Sequence, residues 1–216
     1  MSLDAKTILA AVKQTREQSE KKNFNQSIEL IVNLQDVDMK KPEAKIQETI
    51  ELPHAPRKLG KVCVFATGEL ALKAKKAGAD LIIDSSGLEE LATDKKRRKN
   101  LANDFDAFIA EAPLMPLIGR TLGSTLGPRD KMPKPVPPTA DIEAQIARAR
   151  KTVTLRLRGQ PVLQCAVGTE DLKDEQIVEN VSTVIKRLEG RLKRGLKNIT
   201  SIYLKTTMGK PAKIKL

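Results

Sequence analysis

The hydrophobic rhythm of this chain changes twice along its length, and each rhythm permits only one kind of sheet. Near the N-terminus Ile28, Leu30, Val32 and Leu34 alternate with Ser27, Glu29 and Asn33, the period of a strand with one buried and one wet face. Ile46 to Leu52 alternates again and stops at Pro53. These two runs are expected to pair as neighbouring strands. The same alternation returns after residue 152, in Val153 to Leu157 and in Val162 to Val167, joined by Gly159-Gln160-Pro161 as a hairpin-like pair, and finally in Ser201 to Thr207.

The middle of the chain follows the other rhythm. Short unbroken apolar runs, Val62 to Ala66, Leu81 to Ile83 and Phe105 to Ala110, are separated by helix-like segments at 69–77 and 87–99. Strands buried on both faces read this way, so a parallel sheet with helices on both sides is predicted. Gly78 suits a helix C-terminus and Asp84-Ser85-Ser86 a helix start. The glycines at 119, 123 and 127 are expected to mark turns and close packing, and a further helix covers 142–149. Two more helices bracket the chain, Leu3 to Arg16 and the long Asp174 to Arg194. The simplest architecture is an α+β domain formed by both chain ends, residues 1–60 and 152–216, with an inserted α/β Rossmann-like parallel-sheet domain at 61–151. Leu59, Gly60, Lys61, Lys151 and Thr152 then form a two-stranded hinge.

Charge points to the partner. The chain carries 39 Lys+Arg against 27 Asp+Glu, and residues 186–216 alone hold 10 basic side chains and 1 acidic one. Three quarters of the net +12 is therefore packed into the last 31 residues, the footprint of a polyanion-binding surface. Part of it serves the dipole of the long helix, acidic at Asp174 and Glu175 and basic at its finish, but Lys186, Arg187, Arg191, Lys193, Arg194 and Lys197 exceed what one turn can use. No Trp/Phe/Leu face opposes these charges, as membrane attachment would require. With 4 Phe, 1 Tyr and no Trp, a platform stacking several unpaired bases is not expected, and recognition of folded RNA shape and backbone is.

Little in the sequence suggests catalysis. Cys63 and Cys165 sit in apolar runs as small hydrophobes, and His54, the single histidine, stands in a turn beside Pro53. Neither a metal site nor a cofactor is expected. No apolar run reaches the roughly 18 residues that span a bilayer, and the N-terminus lacks the layout of a signal peptide, so a cytosolic, membrane-free protein is expected. Two rival readings stand beside RNA binding. A nucleotide-using enzyme of doubly wound fold would need a phosphate loop, and neither G-x-G-x-x-G nor G-x-x-x-x-G-K-[ST] occurs. A non-specific double-stranded nucleic-acid binder would rest on charge alone.

Three separated motifs give a more specific indication. The run Ser201-Ile202-Tyr203-Leu204-Lys205-Thr206-Thr207-Met208-Gly209-Lys210-Pro211 closely resembles the C-terminal signature of the ribosomal protein L-one family, of archaeal type. Leu52-Pro53-His54 leading through Leu59-Gly60-Lys61 into Val62-Cys63-Val64-Phe65-Ala66 agrees with it, as does Leu126-Gly127-Pro128-Arg129 with Lys131-Met132-Pro133-Lys134-Pro135. Asp130 stands where that last motif usually carries glycine. The resemblance implies a two-domain fold without catalysis and binding to the stalk region of large-subunit rRNA. It also implies help in releasing deacylated tRNA from the exit site, and repression of translation from the protein's own mRNA. It places the residues matching Phe24, Ser27, Glu29, Ser201, Thr207, Met208 and Gly209 at the RNA surface. Gln26, Tyr203 and Thr206, in the same runs, are assigned there too, with Arg191, Lys193, Lys197, Lys205 and Lys210 as the surrounding cations. The free protein is expected to be a monomer in the cytoplasm, and the bound one part of the ribosome.

Overall fold

A computed structural model describes residues 4–37, 46–55, 60–157 and 159–215. Leu3, Pro42 and Leu59 lie outside the described residues. The chain divides into two compact units, Met1–Lys58 with Lys151–Leu216, and Leu59–Arg150.

The first unit is built around an antiparallel sheet. Its strands are β1 (Ser27–Leu34), β8 (Val162–Thr169), β9 (Ile199–Thr206) and β10 (Ala212–Ile214), in the order β10-β9-β1-β8. On β1 every second residue is buried, and Ile28, Leu30 and Val32 face a core shared with α1 (Ala5–Glu17) and α7 (Asp174–Glu189). The two helices supply Ile8 and Val12, and Ile177, Val181, Ile185 and Leu188, stripes at helical spacing. A separate two-stranded ribbon joins β2 (Gln47–Glu51) to β7 (Thr152–Arg156).

The pairing differs from the sequence expectation. β1 does not pair with β2 but with β8 and β9, and β7 pairs with β2 rather than forming a hairpin with β8. Period-two alternation reports which face is buried, not which neighbour completes the ladder. The chain leaves through β2 and returns through β7, so the two strands bracketing the insertion pair with each other. The C-terminal tail also adds β10, whose Ala212 and Ile214 are buried; three residues are too few for a periodic signal.

The second unit holds the predicted parallel sheet. Its strands β3 (Val62–Phe65), β4 (Leu81–Ile83), β5 (Ala107–Glu111) and β6 (Lys134–Val136) run in the order β4-β3-β5-β6. Val62 and Val64 pack to one side with α2 (Gly68–Lys76) and α6 (Ile142–Lys151), and Cys63 and Phe65 to the other with α3 (Ser85–Thr93), α4 (Lys95–Asp104) and α5 (Met115–Leu126). Phe65 stacks on Phe108 with ring centroids 6.0 Å apart. Burial pushes the Cys165 thiol of the first unit up to about 12 and raises that of Cys63 as well, so both are inert hydrophobes.

Three helices depart from expectation. The single helix expected over 87–99 is two, because Asp94 ends α3 and caps α4, accepting from the amides of Lys96 at 2.8 Å and Arg97 at 3.0 Å. The segment from Gly119, expected to turn, is the body of α5. Ile118, Leu122 and Leu126 form a fully buried stripe that outweighs the roughly 1 kcal/mol cost of each helical glycine. α7 stops at Glu189 rather than Arg194, since Gly190 follows and Asn198 accepts from the Arg194 amide at 2.8 Å to hold the next turn. Asp130 adopts the left-handed region, φ 58°, where glycine is the usual occupant. The glycine of the motif therefore answers a backbone demand.

Leu30 lies at the centre of the sheet, and Leu30→Ala should cost about 2–5 kcal/mol in denaturant unfolding. In the inserted unit, the Val62 amide donates to Asp80 at 2.8 Å and Arg150 pairs with it at 3.2 Å, and these hold the Asp80 carboxyl below its ordinary range. A depressed value adds stability above the ordinary range and loses it as pH falls through the folded value. Asp80→Asn should therefore be less stable than the parent at pH 7, with the gap closing in acid melts.

Candidate nucleic-acid interface

The sheet of the first unit has one face against its helices and one facing out. Register places Glu29 beside Lys205, Ile31 beside Tyr203 and Asn33 beside Ser201, so all six share the outward face. Gln164 of β8 and Lys213 of β10 extend the row through Ile31 and Tyr203. The sequence reading missed Asn33, Gln164 and Lys213. Asn33 was already visible as an outward residue of its strand, but the other two needed the strand order.

At one end of this face the chain makes a tight junction. The Thr207 amide donates to the Ser27 carbonyl at 3.1 Å, and the Ser27 amide donates to Thr207 Oγ1 at 3.2 Å. Beyond Thr207, Met208 and Phe24 are exposed by 67% and 51%, a large area of unburied apolar side chain beside a polar strand end. Gly209 donates its amide to the Thr206 carbonyl at 3.2 Å. A Cβ there would collide with Thr206 Oγ1 and push it off its hydrogen bond to Ser19.

Behind the junction lies a polar network. Gln26 is fully buried: its Nε2 donates to Ser19 Oγ and to the Glu20 carbonyl, both at 3.1 Å, and its Oε1 accepts from the Met208 amide at 3.0 Å. Thr206 Oγ1 donates to Ser19 Oγ at 3.1 Å, and Ser19 Oγ in turn donates to Glu170 Oε1 at 3.1 Å. Arg16 reaches the carbonyls of Glu170 and Leu172 and pairs with Asp174 at 2.8 Å. Gln26 and Thr206 were assigned to the RNA surface, yet their side chains face inward and hold the turn in shape. A contiguous motif marks a segment but does not say which way each of its side chains points.

The predicted residues fall into two groups. Phe24, Ser27, Glu29, Lys205, Thr207, Met208, Gly209 and Lys210 gather at the N-terminal end of β1. Glu20 sits among them, held below its ordinary range by the hydrogen bond and charge of Lys22 and by the charge of Lys210. Tyr203 lies farther along the face, and Ser201 farther still; expected to meet RNA, Ser201 is buried and its Oγ accepts from Asn33 Nδ2 at 2.9 Å. Arg191, Lys193 and Lys197 belong to the opposite end, where β1 finishes, roughly 23 Å away at about 3.3 Å per residue. There Arg191 and Arg187 share the carboxylate of the buried Glu48, and Arg194 pairs with Asp36 at 2.6 Å. Three of the C-terminal cations, Arg187, Arg191 and Arg194, are thus taken up by carboxylates of the same unit.

Of the residues expected to form a hinge, Lys61 is tied to the inserted unit, its carbonyl accepting from the Asp106 amide at 2.9 Å and its amide donating to Asp106 Oδ2 at 3.1 Å. Gly60 lies against the same side chain. Lys151 accepts from the Leu52 amide at 2.9 Å, and Thr152 pairs with Glu51. The inserted unit also has a cleft of about 610 Å³ beside edge strand β4. Its charged lining is Asp84, Glu90 and Asp104 against Arg97, a balance that repels nucleotide phosphates.

Replacing the inward Gln26 tests the network. Gln26→Ala should cost about 1–3 kcal/mol, the scale for leaving buried partners unpaired. It should also speed hydrogen exchange at the Met208 amide, and an unchanged exchange rate there would show that Gln26 does not hold the turn.

Residues 13–210 match the model of the Ribosomal protein L1p/L10e family. The chain is 46% identical over 202 residues to the large ribosomal subunit protein uL1 of Methanothermobacter thermautotrophicus, covering 94% of this chain and 95% of that one. Against the protein of the same name from Pyrococcus abyssi it is 45% identical over 216 residues, 100% of this chain and 98% of the relative. The Archaeoglobus fulgidus protein of that name is 42% identical over 214 residues, 99% and 100%. With the match running through both units and through the Thr207 to Gly209 turn, the chain belongs to the ribosomal protein L1 family.

Proposed function

We propose that the chain is a constituent of the large ribosomal subunit of the cytoplasmic ribosome and grips the stalk region of large-subunit rRNA through the Ser27, Thr207, Met208 and Gly209 junction. Membership of a ribosomal-protein family makes it a binding protein rather than an enzyme. The observation that carries the reading is the rigid turn. A polar strand end with two exposed apolar side chains is set in place by a buried network before any RNA arrives, so little ordering cost is left for binding. Thr207, Ser27 and the open backbone at Gly209 can meet 2′-hydroxyls and phosphates, and Glu29 can accept from 2′-hydroxyls or base amines. Phe24 and Met208 supply apolar contact with sugars or bases.

The same patch would recognise a similar fold in the protein's own mRNA and repress its translation. In the ribosome, the inserted unit would move on the connectors around Gly60 and Lys151 while deacylated tRNA leaves the exit site. A monomer suffices, since the junction is completed within one chain. Cations supply affinity and approach rate, and the polar turn supplies selectivity.

This division can be measured. Thr207→Val should cost about 1–3 kcal/mol of binding to a stalk rRNA fragment while leaving the salt dependence unchanged. Lys205→Gln should instead lower the slope of log Kd against log salt by about 0.7–0.9. A duplex DNA competitor at fixed salt should compete poorly, and competition equal to that of the stalk fragment would replace this reading with non-specific charge attraction.

A further inference from the structure

The inserted unit carries a concentration of charge for which the rRNA-binding junction has no use. α4 opens with Lys95, Lys96, Arg97, Arg98 and Lys99. The first turn of a helix is the positive end of its dipole, where cations are disfavoured. Other helices of the chain respect this: α7 starts with Asp174 and Glu175 and ends with Lys186 and Arg187, and α2 has Glu69 first and lysines last. α4 inverts the order and is held by its Asp94 cap.

The neighbouring cations are oriented without being neutralised. Arg98 Nη1 donates to the Thr121 carbonyl at 2.8 Å, and Arg129 Nη1 to the Lys99 carbonyl at 3.4 Å. Lys131 Nζ donates to the carbonyls of Ala102 and Phe105 at 3.0 and 2.7 Å. Carbonyls fix a cation in space but leave its charge. Within the run, Arg97 approaches Glu90 at 3.7 Å, whereas Lys95, Lys96 and Lys99 are exposed and make no side-chain hydrogen bond or ion pair among the described residues. Lys95 and Lys99 are one turn apart on α4 with Lys96 beside them, all three exposed, and Arg129 joins them at the Lys99 carbonyl.

From this geometry we infer that Lys95, Lys96, Lys99 and Arg129 form a second contact surface for the sugar-phosphate backbone of a folded RNA, on the inserted unit. The fold keeps an unfavourable charge order here, and a polyanion would relieve it. No exposed large hydrophobic lies on α4, which disfavours a lipid surface. The choice of RNA over an acidic protein rests on the rRNA reading above. The RNA could be the stalk itself or departing tRNA, since both offer the same phosphates.

The test uses the full-length chain carrying Lys95→Gln, Lys96→Gln and Lys99→Gln together, titrated with a stalk rRNA fragment and separately with deacylated tRNA over a series of KCl concentrations. The slope of log Kd against log salt should fall by about 2 for at least one of them, with roughly a tenfold loss of affinity at low salt. The thermal midpoint should hold or rise, because cations leave the positive end of a helix. The RNA that responds identifies the source. Arginine at the same three positions should keep the parental slope. Unchanged slopes for both RNAs would overturn the inference, as would loss of binding in the arginine variant or an equal loss toward polyglutamate. Thr207→Val run in parallel separates the two readings: if it leaves stalk binding intact while the triple variant loses slope, the junction reading fails and this one stands.

Discussion

Everything in the first unit hangs on the ladder between β1 and β9. These strands are separated by most of the chain, yet Ile28 lies opposite Thr206 and Val32 opposite Ile202. Their pairing closes one core from the two chain ends, with Ile28, Leu30 and Val32 on β1 and Ile202 and Leu204 on β9. It also puts the start of one strand against the finish of the other, so Ser27 and Thr207 exchange hydrogen bonds. The Ser27–Thr207 junction is therefore a by-product of sheet closure, and it is as rigid as the sheet.

That rigidity is reinforced from behind. A surface turn such as Thr207 to Gly209 would ordinarily be the mobile part of a domain. Here the Met208 amide is held by Gln26, and Thr206 and Ser19 are locked to Glu170. The network links the end of α1, the approach to β1, the turn after β8 and the end of β9. Buried polar groups of this kind specify one arrangement because any shift leaves several of them unpaired at once.

Electrostatics divide along the same lines. Summed over the sequence, the C-terminal segment looks like one continuous cationic surface. In the fold, Arg187 and Arg191 serve the buried Glu48 and Arg194 serves Asp36, fastening the ribbon and the end of β1. Glu48 needs such partners, since an unpaired buried carboxylate is costly. Lys205, Lys210 and Lys213 stay with the outward face and its rim, while the dipole-opposing run of α4 forms a separate concentration of charge.

Sequence alone determined the two sheet types, the inward and outward faces of β1 and β9, the insertion of a parallel-sheet unit, the inert cysteines and the family. Each of these is written in local periodicity or in contiguous motifs such as Thr207-Met208-Gly209. Tertiary structure decided which strands pair, that β2 takes β7 and β1 takes β8 and β9, because alternation is identical whichever neighbour completes the ladder. It decided that Gly119 and Gly123 sit in a helix, since the buried stripe of Ile118, Leu122 and Leu126 outweighs local propensity. It also turned Gln26 and Thr206 inward and gave Arg191 to Glu48. Whether a polar side chain meets solvent, a ligand or a buried partner depends on what lies across from it, and for these residues the partners are separated in sequence by between 6 and 187 positions.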